Sequence, residues 1–247
     1  MHTQLSSEQI NQLRSFSTCV LADAIETFGV RLRNEGFATA GFRSLFKDSP
    51  PLVGYAATCV VRSADPPIVG SRYVERTDWW QHIMSIPTPR VIVMQDIDPE
   101  PGTGAFLGVT HAHVLKALGC VGAVTNGAAR ELNGIEMSGF QVFAGRVAIS
   151  RAYIHIVEFG GPVEVGGLKI EPGDLIHGDR HGIITIPQDL AAEIPAVAKA
   201  IAEKKGQVVE LSKKPGVTFE ELGRALRELY DFHMAQPGNG EHQWKSK

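Results

Sequence analysis

Seven residues, Arg90-Val-Ile-Val-Met-Gln-Asp96, constrain this chain more than any others: an unbroken apolar, largely β-branched run between polar ends is a strand buried on both faces. Such a strand must be covered by other elements, and the next fifty residues provide them. A loop rich in Pro and Gly (Pro99, Pro101, Gly102, Gly104) leads to Gly108, then a helix through Ala117, ended by Gly119. Val121–Thr125 reads as a second strand, ended by Asn126-Gly127. Residues 128–136 read as a short helix or loop, and Val142-Phe-Ala144 starts a third strand. Strand, helix, strand, helix, strand is the pattern of parallel crossover units.

On the N-terminal side, residues 6–15 and Ser17–Phe28 have helical spacing, with Ser17 a cap and Gly29 a stop. Ala56–Arg62 reads as a strand and Ser71–Ser85 as a helix carrying Trp79 and Trp80. On the C-terminal side, short strands are expected at 152–159, 163–165, 168–170, 175–177 and 183–186. Their turns are Gly160-Gly-Pro162, Gly166-Gly167, Pro172-Gly-Asp174 and Arg180-His-Gly182, which together predict an antiparallel β meander. Amphipathic helices at 188–211 and 218–234 follow. With no internal repeat and no long linker, the expectation is a single α/β domain over 1–200. A helical C-terminal extension over 201–247 would pack on that domain or on a neighbouring subunit.

Composition narrows the function classes. Of 247 residues, 43% are hydrophobic and 21% charged, which excludes a disordered chain. The net charge of −3 offers no basic excess for phosphates, so nucleic acid is not an expected partner. The start, Met1-His-Thr-Gln-Leu5, lacks a positive region followed by an apolar stretch, and nothing approaches the ~18 apolar residues of a membrane span. Cys19, Cys59 and Cys120 are far apart and odd in number, as expected of buried thiols in a reducing compartment. A cytoplasmic protein is expected.

Several residues bear on chemistry. Gly102-Thr-Gly-Ala-Phe-Leu-Gly108 has glycines one residue too widely spaced for a dinucleotide fingerprint, and no acid sits where a ribose would be held. The helix start Gly108-Val-Thr-His111 presents backbone N–H groups and a positive dipole end, which suit a small carboxylate or phosphate; alternatively, Gly108 simply lets the chain turn. Arg130-Glu131 follows a parallel strand, at the end where open α/β sheets bind ligands. The arginine can grip a carboxylate and the glutamate can hold a hard divalent ion, or the two can form a solvated pair. His177, Asp179 and His181 would share one face of a continuous strand, as metal ligands do, but Arg180-His-Gly182 also reads as a hairpin turn with Asp179 accepting backbone bonds. His111 and His113 point to different faces of their helix. Lysines are scarce through the middle of the chain and there is no Gly-x-Ser-x-Gly elbow, so a divalent ion is the expected electrophile.

Gly119-Cys-Val-Gly-Ala-Val-Thr-Asn-Gly-Ala-Ala-Arg-Glu131 together with Pro172-Gly-Asp-Leu-Ile-His-Gly-Asp-Arg-His-Gly-Ile-Ile-Thr-Ile-Pro187 resembles one family. It comprises the regulator of ribonuclease E activity and the class II 4-hydroxy-4-methyl-2-oxoglutarate aldolases, once misnamed menaquinone methyltransferases. The resemblance covers roughly residues 16–200 and includes Thr18-Cys-Val-Leu-Ala-Asp-Ala24. It implies a β/β/α swivelling-domain-like fold and a homotrimer or hexamer with sites between subunits. It also implies cleavage of 2-oxo-4-hydroxy acids to pyruvate, or oxaloacetate decarboxylation, with Mg²⁺ or Mn²⁺. By motif, Gly108, Val109, Thr110 and His111 would form the pyruvate loop, Arg130 would hold the substrate and Glu131 the metal. Glu203 would be a further acid offered to a neighbouring subunit.

The chain departs from the family pattern at three positions. Val109 stands where an acid usually follows the loop glycine, Asn126 replaces the usual Asp, and Glu131 is one methylene longer than the usual metal Asp. Loss of an acid/base group typically costs ~10²–10⁴ in rate. His111 or His113 would then serve as the base. The expectation is a metal-dependent carbon–carbon lyase on a small 2-oxo acid; the alternative is a catalytically altered, protein-binding regulator such as a ribonuclease inhibitor.

Overall fold

The computed structural model describes residues 4–38, 43–67 and 76–234. Helix α1 (Ser7–Arg14) opens with a capping box. The Gln9 amide donates to Ser6 Oγ at 3.2 Å, and the Ser6 amide to Gln9 Oε1 at 2.8 Å. Helix α2 (Thr18–Glu26) is capped by Ser17, whose hydroxyl accepts from the Val20 amide. The elements that follow are β1 (Arg43–Ser44), β2 (Leu52–Arg62), α3 (Arg76–Ser85), β3 (Arg90–Asp96), β4 (Ala105–Leu107), α4 (Val109–Ala117), β5 (Cys120–Ala129), α5 (Leu132–Met137) and β6 (Gln141–Val147). Then come β7 (His155–Phe159), β8 (Val163–Val165), β9 (Leu168–Ile170), β10 (Leu175–Asp179), β11 (Gly182–Ile186), α6 (Ile194–Ser212) and α7 (Phe219–Met234).

Among the described residues, nine strands form one sheet along the path β1-β6-β5-β3-β2-β10-β11, with β4 beside β5 and β7 beside β2. The centre, β2-β3-β5-β6, is parallel, as the crossover pattern requires. Phe37 bridges Ile184 on β11, while β1 pairs with β6, so the sheet curls into a nearly closed barrel. Side chains alternate between two cores, which is why the strands read as continuous apolar runs. Val53, Tyr55, Ala57, Ile92 and Met94 face outward, under Ile10, Leu13, Leu21, Ile25, Trp79, Ile83, Leu115 and Ile194 of the helices. Leu52, Ala56, Val91, Val93, Val124 and Phe143 face inward and are covered by Val163, Val165, Leu168 and Ile170.

Several expectations change in detail. The antiparallel strands after residue 152 do not pair as one meander: β8 and β9 leave the sheet as a separate hairpin, β7 pairs with β2, and β10 joins β2 to β11. The expected loop 99–108 contains β4, and β5 runs through Asn126-Gly127 to Ala129 with a register shift between Thr125 and Ala128. The helix expected within 128–136 therefore starts at Leu132. The helix expected from 188 is a 3₁₀ turn, Gln188–Leu190, and then α6, whose Pro195 is tolerated because it lies in the first turn. Helix α6 runs on through residue 200, with Ile194, Ala198 and Ile201 buried in its first half. Of the helix expected at 71–85, residues 71–75 lie outside the described residues. Of the three cysteines expected to be buried, Cys59 and Cys120 are, on strands of the sheet, but Cys19 is exposed on the first turn of α2. Among the described residues, no helix is long and apolar enough to cross a membrane.

Candidate functional site

Strand β4 lies beside the tail of β5, Ala105 opposite Ala128 and Leu107 opposite Ala129. Both strands run in the same direction, so Gly108 and Arg130-Glu131 leave the sheet at neighbouring points on its C-terminal edge. The Arg130 amide donates to the Leu107 carbonyl at 2.9 Å and ties the two exits together.

Glu131 then takes a left-handed backbone conformation (φ 57°, ψ 40°), which costs a non-glycine residue roughly 1–2 kcal/mol. The turn throws its carboxylate back onto the start of α4. The Val109 amide donates to Glu131 Oε2 at 2.9 Å, and Arg130 Nη2 lies 3.1 Å from Glu131 Oε1. Arg130 and Glu131 keep 27% and 34% of their side-chain surface exposed. Arg130 Nε is buried with no partner among the described residues, so the guanidinium has donor capacity that Glu131 does not use.

Gly108 has ordinary extended dihedrals (φ −144°, ψ 177°), so the turn does not require a glycine. The space does: a Cβ there would stand 2.7 Å from Glu131 Oε2 and 3.4 Å from Arg130 Cγ. The first intrahelical bond of α4 runs from the Ala112 amide to the Gly108 carbonyl, so the Thr110 amide precedes the ladder, at the positive end of the helix.

His111 sits in the same first turn. Its ring packs on Phe106 at 4.6 Å between centroids, and Phe106 meets Trp79 edge-on at 5.5 Å. His113 is exposed, so the two histidines do face different ways. Val109 turns its side chain to α5, with Cγ2 2.9 Å from where a Cβ of Gly134 would be. Glu203 pairs with Lys199 on α6 at 3.9 Å. The structure thus brings together Gly108, Val109, Arg130 and Glu131, with Thr110 and His111 on the next positions of the same turn.

Sequence reasoning missed the bracing behind this cradle. Beyond the rung formed by Met94 and Thr125, β3 and β5 are joined by the Asn126 side chain. It accepts from the Asp96 amide at 2.7 Å and donates to the Asp96 carbonyl at 2.8 Å. Asp96 accepts from the Gly102 and Asp98 amides, and Asp98 from Ser63 and the Ala64 amide. Burial pushes the Asp96 carboxyl up. Burial also works upward on Asp98, but the Ser63 and Ala64 donors outweigh it and hold that carboxyl below its ordinary value. A detectable signal was Asp96-Ile-Asp98 at a strand end.

The alternating trio does not make a metal site. Asp179 ends β10 and Gly182 starts β11, so the hairpin turn at Arg180-His181 breaks the shared face. Asp179 accepts from the amides of Thr18 and His181, and from His181 Nδ1 at 2.9 Å. His177 is fully buried with Nδ1 3.2 Å from Thr18 Oγ1, and burial pushes it down to about 4. Among the described residues no group of three His, Cys, Asp or Glu could hold a metal ion. A hard divalent ion that keeps most of its water would find Glu131 as a single carboxylate ligand here, with both oxygens of that carboxylate engaged by the Val109 amide and Arg130.

Comparisons with known proteins bear on the family and the fold. The family model described as Aldolase/RraA, RraA-like, matches residues 18–185. A protein of Halalkalibacterium halodurans, named provisionally as a 4-hydroxy-4-methyl-2-oxoglutarate aldolase, is 27% identical over 198 residues, covering 80% of this chain and 85% of its own. An uncharacterized Pseudomonas syringae protein superposes with a TM-score of 0.69 at 23% identity, over 92% of this chain and 97% of its own. Streptomyces coelicolor RraAS2, described as an unusual member of the RNase ES inhibitor RraA protein family, does so with a TM-score of 0.64 at 20% identity, over 84% of this chain and 98% of its own.

Proposed function

The chain belongs to the RraA-like family of Aldolase/RraA proteins, and from that premise we propose that it is a divalent-metal-dependent carbon–carbon lyase acting on a small 2-oxo acid. The reaction is aldol cleavage of a 4-hydroxy-2-oxo acid to pyruvate, or decarboxylation of oxaloacetate. The observation that carries this reading is the convergence of an arginine and its neighbouring acid on the Gly108 helix start.

Arg130 binds the substrate carboxylate through its guanidinium, with the Thr110 amide at the positive end of α4 beside it. Mg²⁺ or Mn²⁺, held by Glu131, would supply the Lewis acid that polarises the 2-oxo group. His111 takes the proton of the 4-hydroxyl as the C3–C4 bond breaks and returns it to C3 of the product. Phe106, itself backed edge-on by Trp79, packs on that imidazole and orients it. Exposed Val147, Ile149 and Tyr153, close in sequence to the segment that Ala105 and Gly104 touch, offer apolar surface for a trimer or hexamer that closes the site between subunits. Release of pyruvate from oxaloacetate and from hydroxy-oxoglutarates is expected with Mg²⁺ or Mn²⁺. No release above that of the free metal, from protein of verified oligomeric state, would overturn the reading; undiminished turnover by His111→Ala would remove the histidine from it.

One observation favours a second reading, a protein-binding regulator such as a ribonuclease inhibitor: Val109 fills with an apolar contact to Gly134 the position where related aldolases carry an acid. Capture and inhibition of a ribonuclease, with no lyase turnover, would support it.

A further inference from the structure

The cradle already holds a carboxylate, and it is the chain's own. Glu131 takes the Val109 amide with one oxygen and Arg130 with the other, the two contacts a small acid would seek there. Two features favour this arrangement. The left-handed backbone at Glu131 turns the side chain back on itself, and Gly108 leaves the room that a Cβ would fill. An aspartate here would fall one methylene short.

We propose that Glu131 is a resident stand-in for the substrate carboxylate, displaced when a 2-oxo acid binds and only then available to a cation. The inference rests on the reading of this site as a 2-oxo acid cradle and adds to it an order of events. The cradle offers one guanidinium and one helix end, so two carboxylates cannot share it without repulsion. The incoming acid takes over as the counter-charge of Arg130. The released Glu131 is then an unpaired anion, which favours a divalent ion beside it. Anion and cation binding are therefore coupled, each strengthening the other by the same factor.

The test is a calorimetric titration of pyruvate into metal-free protein, comparing the unaltered chain with Glu131→Asp. The aspartate keeps the charge and loses the reach, so a mere change in local potential would leave pyruvate affinity where it was. Displacement predicts roughly three- to tenfold tighter binding to the variant. Equal or weaker binding to the variant overturns the displacement and leaves the cradle reading standing. No binding to either protein overturns both. A second measurement needs no variant: Mn²⁺ binding to the unaltered protein, followed by water proton relaxation, with and without saturating acetate, which has no 2-oxo group to chelate the ion. Acetate should tighten Mn²⁺ about fivefold; no tightening overturns the coupling.

Discussion

Asn126 supplies, with one carboxamide, a further rung between β5 and β3 beyond the last backbone pair, Met94 and Thr125. It must accept from the Asp96 amide and donate to the Asp96 carbonyl at once, which a carboxylate cannot do. Asn126→Asp is therefore expected to destabilise the fold by ~1–3 kcal/mol without raising turnover, as read by urea denaturation beside the pyruvate assay. Arg130 is the opposite case, a residue whose donors exceed its present partners. Arg130→Ala should lower kcat/KM for oxaloacetate by ~10–100-fold through a lost charged hydrogen bond. Arg130→Lys should recover only part of this, because a point charge cannot present two donors in a plane.

At the scale of elements, the corner between α1 and α2 docks on the β10–β11 hairpin through Thr18, His177 and Asp179. Burial holds His177 near 4 against an ordinary value of 6.5, so the unfolded chain binds a proton in that interval and the folded chain does not. Stability contributed by neutral His177 is complete above about 6.5 and is lost as pH falls towards 4, by ~1–3 kcal/mol. At Asp179 burial works upward, but donation from the His181 and Thr18 amides outweighs it, so its share is lost at still lower pH. Urea midpoints at about pH 7 and 4.5 should differ clearly for the unaltered protein, and His177→Phe should narrow the difference by removing one titrating group.

The same elements show what was legible. Strand β3 was readable because two buried faces leave an unbroken apolar run. Strand β4 was not, since three residues inside a glycine-rich loop carry no period. Asn126-Gly127 imitates a turn, yet the asparagine side chain extends the ladder to β3, a role set by a partner thirty positions away. Arg130-Glu131 and Gly108 were found by the rule that ligands bind at strand ends; that the glutamate already fills the cradle depends on a backbone angle no pattern encodes.

At the scale of the molecule, one sheet separates two cores, and the described helices pack on its outer side. Val147 at 58% and Ile149 at 94% exposed leave an apolar strip with nothing of this chain over it among the described residues. On the proposed trimer or hexamer, Ile149→Asp is expected to shift the assembly towards monomer, as read by sedimentation, and to lower turnover if sites are completed across the interface. The pairing of β4 with the end of β5 has a mechanical corollary. Both halves of the cradle hang from a single beam, so a displacement of that beam moves the guanidinium and the helix end together.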